Sequence, residues 1–327
     1  MKQWISRFWV TGLLAGFCLF GFTATAFGGD SAWSIIMATH QQAKVLSYSG
    51  VMITQSGEYT QSSKLLHFAS PNGDEDELLE KLDGQPSRWI RHNDVIQCIL
   101  PQQKLILSER RQNSTAFPQV FSGPDDTYAP EKVYEIKQLP VQRVAGRSAL
   151  VFRLIPKDAY RHEYRLYIDK VTNLLLRSEL YSSDGHLLEQ VGFTEISFDP
   201  DPAKRPSLYS AKPGWKMADT QVSTADAQGL PYSLPDDIQG FKKTGVFSRV
   251  RGKGQSVDQT VYSDGLSTLS VFVQRAKAGQ SMPNVPMAHG AVVSRSQTVG
   301  NYLVTALGEV PLVTLNQVLK SVQWKSQ

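Results

Sequence analysis

From Tyr164 to Phe198 the chain reads YRLYIDKVTNLLLRSELYSSDGHLLEQVGFTEISF. Apolar and polar residues alternate through it with period two, and the runs break at Asp169–Asn173 and Ser182–Gly185. A side-chain period of two puts one apolar and one polar face on an extended strand and cannot hold a helix. Connections this short leave neighbouring strands antiparallel. The pattern extends to a five-strand meander: 133–144, 148–155, 164–168, 174–181 and 187–198, with turns at Ala145-Gly146-Arg147 and Ser183-Asp184-Gly185. Upstream, 48–55 and 58–69 read as a hairpin around Ser56-Gly57, and 87–91, 94–100 and 104–108 as further short strands. The acidic stretch Asp74–Leu82 reads as a short helix closed by Asp83-Gly84. A helix capped by Asp30 or Ser31 runs to about Leu46, with Trp33, Ile36, Met37 and His40 on one face. These elements predict an α+β class with a strongly curved antiparallel sheet, part barrel, wrapped over helices.

The first 26 residues are set apart. Lys2 and Arg7 form a basic start, Phe8–Phe22 is uncharged and apolar, and Ala24-Thr25-Ala26 offers a small-x-small cleavage pattern. This is the design of a secretory signal. Leu14–Cys18 departs from a lipoprotein box at Phe17, so Cys18 reads as part of the apolar run. Of 327 residues, removing 26 leaves 301. The signal holds two of the 34 basic residues and none of the 30 acidic ones, which leaves a net charge of +2. Nothing in that balance points to nucleic acid. The expected location is the periplasm. Cys98 alone remains after processing, so no internal disulfide can form. It sits in the apolar run Val95–Leu100 and reads as a small buried hydrophobe; a redox sensor would need an exposed, low-pKa thiol.

About 300 residues exceed what one core usually supports. The proline-spaced, charged stretch that starts Asp199-Pro-Asp-Pro has no periodicity and reads as a linker over 199–213. The expected division is therefore 1–26 signal, 27–198 β-rich domain, 199–213 linker and 214–327 a smaller α+β domain. Strands are expected there at 246–251, 256–262, 269–274, 291–299 and 302–309. A closing helix is expected over Thr314–Val322, with Thr314 as cap.

Motifs that carry chemistry are missing. The chain has no G-x-S-x-G, S-x-x-K, H-E-x-x-H or C-x-x-C, and its six histidines are scattered. Glu75, Asp76 and Glu77 adjoin one another, but acids at a helix start are usually solvated. No catalytic residue, metal ligand or cofactor is assigned, and binding is the better default. Two features could bind. Trp33, Ile36 and Met37 could line an apolar cavity or simply pack the core, and the residues alone leave both open. Lys242, Lys243, Arg249, Arg251 and Lys253 place five cations within twelve positions, with Phe241 and Phe247 interleaved. They could meet an acidic partner or lipid phosphate, or form a solvated hairpin.

Several stretches together carry a resemblance. They are Leu46-Ser-Tyr48-Ser-Gly50, Tyr167-Ile168-Asp169 with Leu174–Arg177, Phe193-Thr-Glu-Ile196, Leu234–Phe241, Tyr262-Ser-Asp-Gly265-Leu266 and Gly308-Glu-Val-Pro311. In this order the chain resembles the RseB/MucB family of periplasmic regulators of the sigma-E envelope stress response. Its N-terminal domain is similar to the lipoprotein-carrier fold. The resemblance implies a non-enzymatic protein that binds the periplasmic domain of an inner-membrane anti-sigma factor and blocks its first proteolytic cut. It also implies that lipid or lipopolysaccharide relieves the block. A homo-oligomer is compatible with it. Two rival readings are a lipid or lipoprotein carrier, which would end near Pro200, and a periplasmic hydrolase with residues converging in a cleft.

Overall fold

The computed structural model describes residues 29–110, 130–225, 229–251, 255–276 and 285–325. The expected signal segment, nearly all of the 110–130 loop and Lys253 lie outside these residues.

Helix α1 (Gly29–Val45) comes first. It is followed by β1 (Tyr48–Ser56), β2 (Tyr59–Ala69), β3 (Glu75–Lys81), β4 (Arg88–His92), β5 (Val95–Leu100) and β6 (Leu105–Arg110). After the single turn α2 (Pro130–Val133) come β7 (Tyr134–Val144), β8 (Arg147–Pro156), β9 (Glu163–Asp169), β10 (Leu175–Tyr181) and β11 (Leu187–Ser197). Their order in space is β7-β8-β9-β10-β11-β1-β2-β3-β4-β5-β6, antiparallel throughout. The sheet curls over α1 but does not close, since β7 and β6 do not pair with each other. The meander expected from the period-two pattern is present strand for strand.

Asp74–Leu82 is not a helix; it is β3 with its flanking turns. Leucine and glutamate favour helix, but here cross-strand charge decides. Asp76 lies opposite His92, Glu77 opposite Arg91 and Glu80 opposite Arg88. Each acid meets its basic partner, at 2.6 Å for Asp76–His92, 3.5 Å for Arg91–Glu77 and 2.6 Å for Arg88–Glu80.

The second sheet uses β12 (Lys216–Thr224), β14 (Asp237–Ile238), β15 (Phe241–Arg251), β16 (Gln255–Ser263), β17 (Thr268–Arg275), β18 (Met287–His289), β19 (Val292–Val299) and β20 (Tyr302–Gly308), while β13 (Tyr232–Ser233) pairs apart from it with the last short strand. Helix α3 (Leu312–Lys320) and the short β21 (Gln323–Trp324) close the chain. The order is β12-β15-β16-β17-β20-β19-β18. Leu315, Val318 and Leu319 of α3 pack on Phe241, Tyr262, Val271 and Val304. The helix starts two residues before the expected cap. Pro311 holds the N-cap position, and the Thr314 side chain is used elsewhere.

The two sheets are not separate bodies joined by slack chain. Lys216–Thr220 of β12 runs parallel to β6, and Gln221–Thr224 of the same strand runs antiparallel to β15. The preceding stretch 199–213 is fastened too. Leu208, Tyr209 and Trp215 pack on Ile90, Ile99 and Ile106. The Gln97 side chain bonds both the N–H and the carbonyl of Tyr209, and Arg205 Nε lies 2.6 Å from Asp76.

Candidate functional site: the seam between the domains

The N-terminal core is completed from outside. Ile36, Phe152, Leu154, Leu166 and Ile168 form one buried cluster with Leu266 and Ala291 of the second domain. Leu266 belongs to the β16–β17 turn, Ser263–Ser267, which carries the Tyr-Ser-Asp-Gly-Leu stretch. Asp264 shapes this turn, since its Oδ1 accepts the N–H groups of Leu266 and Ser267 at 3.0 and 2.8 Å.

The partner of Asp264 comes from the β8–β9 loop. Arg161 donates its Nε–H to Asp264 Oδ2 at 2.7 Å, and both side chains are fully buried. Tyr134 donates its hydroxyl to the same oxygen at 3.2 Å. Burial pushes the Asp264 carboxyl up, while Arg161 and the two N–H groups pull it down. The net direction is upward, and the four hydrogen bonds, one of them from a guanidinium, are what favour the ionised form against burial. Arg161 spends its other donors on Asp158 and on the Gln239 carbonyl at 2.7 Å, and its guanidinium lies 4.6 Å over the Phe241 ring. Gln239 and Gly240 both have positive φ, +54° and +83°, the signature of a tight two-residue hairpin turn. A Cβ at position 240 would come within 2.8 Å of Arg161, so glycine is required there.

Further contacts extend the seam. The hydroxyls of Tyr164 and Ser267 share a hydrogen bond of 2.9 Å. Thr314 donates its hydroxyl to the Tyr160 carbonyl at 2.7 Å, which is why it does not cap its own helix. At the β1–β2 tip, Ser56 presses on Gly290: a Cβ there would lie 1.5 Å from Ser56 Oγ. Ser56 also donates to Glu189 on β11 at 3.2 Å. Burial, and then the Glu189 carboxylate across the seam, push Glu309 up to about 7. His162 is pushed down to about 4 by burial, against the opposing pull of the Val310 backbone.

The expected binding residues fall in two places. Ile36 is fully buried and Trp33 is partly buried in the cluster that Leu266 and Ala291 complete. Met37 is 38% exposed. The buried stripe of α1 is Ala32, Ile36, Thr39 and Ala43, so the expected face is rotated by part of a turn. A groove of about 330 Å³ is lined by Pro231, Val299, Tyr302, Trp324 and their neighbours, with none of the three helix residues among them.

The cations 242–251 share β15 but do not form one free patch. Lys242 and Lys243 are adjacent on a strand and so leave it on opposite faces. Lys242 lies 2.6 Å from Asp237, Lys243 lies 2.8 Å from Asp236, and Arg249 lies 3.0 Å from Glu109 of β6. The Arg251 side chain is not among those described. Cys98 is partly buried and burial pushes its thiol up, which is the opposite of a reactive cysteine. Among the described residues no group of three His, Cys, Asp or Glu could hold a metal ion.

Arg161, Asp264 and Tyr134 were not singled out from the sequence. Arg161 and Asp264 stand 103 positions apart, and only the fold brings them together. Asp264 lay inside a stretch quoted for its resemblance, which was the one signal available.

The geometry defines a two-domain, β-rich protein whose most elaborate polar site joins its own domains. The chain belongs to the MucB/RseB family: residues 31–220 match the MucB/RseB N-terminal domain and 226–323 the C-terminal domain. Among its relatives is the sigma-E factor regulatory protein RseB of Haemophilus influenzae, 25% identical over 86% of this chain and 87% of the other. The sigma factor AlgU regulatory protein MucB of Pseudomonas aeruginosa is 29% identical over 85% and 86%. A crystal structure of MucB in complex with MucA(peri) shares the fold, with a TM-score of 0.66 at 22% identity, covering 91% of this chain and 99% of that one. These relatives are regulatory proteins, not enzymes.

Proposed function

We propose that this chain is a periplasmic regulator. It binds the periplasmic domain of an inner-membrane anti-sigma factor and shields it from the first regulatory protease. It releases that domain when lipid or lipopolysaccharide enters. The observation that carries the reading is the shared core: Leu266 and Ala291 of one domain complete the cluster around Ile36 of the other. An acyl chain that enters beside Trp33 and Ile36, with Met37 at the rim, competes with Leu266 for the same space. Lipid then favours a parted seam. If the anti-sigma segment favours the closed one, each ligand weakens the other by the same factor. For Lys242, Lys243 and Arg249 to meet that segment, its acids must replace Asp237, Asp236 and Glu109. Arg251 is the remaining candidate of that set.

The test is a protection assay. Residues 27–327 are mixed with the periplasmic domain of the candidate anti-sigma factor and its site-one protease, with and without lipopolysaccharide. Protection that the lipid relieves is the expected result. Cleavage at full rate under saturating protein removes the reading for that partner and brings a lipid-carrier role forward.

A further inference from the structure

Among the described residues, Lys242, Lys243 and Arg249 of the cation-rich run on β15 are paired with acids, and a group of lysines without acidic partners lies elsewhere. Two segments meet at the start of β12, and neither contains an acid: residues 95–108 and 206–218 have no Asp or Glu. The Lys216 N–H bonds the Lys104 carbonyl at 2.8 Å, and the Trp215 N–H bonds the Lys212 carbonyl at 3.0 Å across a turn at Gly214. The backbone thus gathers Lys104, Lys212 and Lys216 around one corner. All three are exposed, and none has an acidic partner among the described residues. Lys212 Nζ lies 5.3 Å from the centroid of the Tyr209 ring. The acids at this end of the sheet are engaged: Glu80 pairs with Arg88 at 2.6 Å, and Asp83 accepts the Ser62 N–H at 2.7 Å. Beyond the corner, Glu109 holds Arg249, and Asp219 is exposed further along β12.

Apolar surface sits among these lysines. Trp215 is half-buried, with its ring 5.5 Å from that of Tyr209 and its base on Ile90, Ile99 and Ile106. Met217, on the same face of β12 as Trp215, is 46% exposed. An anchored aromatic beside an exposed apolar group, ringed by unpaired charge of one sign, is the composition of a protein-binding hot spot and its rim. Trp215 is anchored on Ile90, Ile99 and Ile106 rather than free to insert into a bilayer, so a polypeptide fits better than a lipid surface.

We propose that Lys104 and Lys212, with Trp215 and Met217, form a docking surface for an acidic polypeptide segment that crosses the free edge of β12 to reach Lys216, whose side chain leaves the strand on the opposite face. This deepens the function proposed above and rests on it for the partner's identity. The surface lies where β12 passes from one sheet to the other, so a segment bound there braces the joint between the domains.

The test compares the processed chain with a Lys104→Glu/Lys212→Glu/Lys216→Glu variant, and with the matching glutamine variant in case reversal disturbs folding. Binding to the anti-sigma periplasmic domain is titrated across salt concentrations. The expected result is a loss of affinity of about 30-fold at low salt in the reversal variant, a smaller loss for glutamine, and a shallower salt dependence in both. Equal affinity and equal salt slope in all three overturn the surface and leave the regulator reading standing. If the unaltered chain does not bind that domain, the regulator reading fails for that partner, and a hexaglutamate peptide decides the surface. Carbodiimide crosslinks from the peptide to these lysines support it, and their absence overturns it. Sedimentation with phosphatidylglycerol vesicles through the same lysines, without peptide binding, overturns it in favour of a membrane.

Discussion

The two domains meet at two joints built on opposite principles. At the seam, Arg161 and Asp264 are fully buried, and every contact is between side chains or turns remote in sequence. At the β12 joint the chain is continuous, backbone hydrogen bonds run from β6 through β12 to β15, and the fastening ion pair Arg205–Asp76 leaves Arg205 40% exposed. A buried pair holds fully or fails at a large cost, because parting it leaves a charge in an apolar setting. An exposed pair slides between protein and water at little cost. The seam therefore behaves as a latch and the β12 joint as a hinge. A ligand that changes the domain arrangement has to act on the latch.

The largest effect expected follows from breaking that latch on one side. Asp264→Asn keeps the shape but leaves the fully buried Arg161 with only the partly exposed Asp158 as counter-charge, a loss of up to about 3–5 kcal/mol. Urea denaturation measures it. Replacing both partners, Arg161→Met with Asp264→Asn, should recover part of the loss, because no buried guanidinium is then stranded and the Asn oxygen still accepts the Leu266 and Ser267 N–H groups. If the double variant is as unstable as the single one, the pair matters for some reason other than burial.

The next test is pH. Glu309 has a raised pKa, about 7 against an ordinary 4.5, so its contribution is fully present below 4.5 and is lost as pH rises to about 7. His162 is lowered to about 4 from 6.5, so its contribution is fully present above 6.5 and is lost as pH falls to about 4. The two oppose each other over nearly the same window and nearly cancel. Glu309→Gln should uncover the histidine. The stability difference between variant and parent should change by at most about 3 kcal/mol between pH 7 and pH 4.5. A difference that stays constant with pH would show that Glu309 does not titrate at the seam.

The same contrast explains what could be read from the sequence. Local order was legible. The meander declared itself by its period, and its turns by glycine and asparagine. Misreadings came where a distant partner overrode a local preference. Residues 75–81 have helical propensity but are drawn into the sheet by His92, Arg91 and Arg88 of the next strand. Lys242 and Lys243 looked unopposed because Asp237 and Asp236 sit before a tight turn, and Arg249 because Glu109 lies 140 positions away. Reading Gln239-Gly240 as a two-residue hairpin would have placed Asp237 opposite Lys242. The stripe on α1 was read from the helical spacing of Trp33, Ile36, Met37 and His40; Ile36 is buried as that spacing implies, but its buried neighbours are Ala32, Thr39 and Ala43, whose small side chains allow close approach. The latch was not legible, since nothing local to Arg161 names Asp264.

A smaller effect is expected where the latch is seated. Gly290 has φ +59° and no room for a Cβ against Ser56. Gly290→Ala should cost about 1–3 kcal/mol through backbone strain and overpacking. Adding Ser56→Gly removes the clash but not the strain, so the double variant should recover part of the loss. Full additivity of the two changes would mean that the tip and the turn do not press on each other.

The smallest change separates hinge from latch. Arg205→Ala removes one pair with Asp76, which keeps His92 at 2.6 Å. With Arg205 partly in water, the loss should be no more than about 1 kcal/mol, and Tm should barely move. Proteolytic nicking within 199–213 should still rise, because cleavage follows local opening rather than global stability. Gln97→Ala, which frees both backbone groups of Tyr209 from a buried side chain, should raise nicking further and cost about 1–3 kcal/mol. If instead Arg205→Ala unfolds the protein as readily as Asp264→Asn, both joints are structural, and the seam alone cannot be the element that a ligand moves.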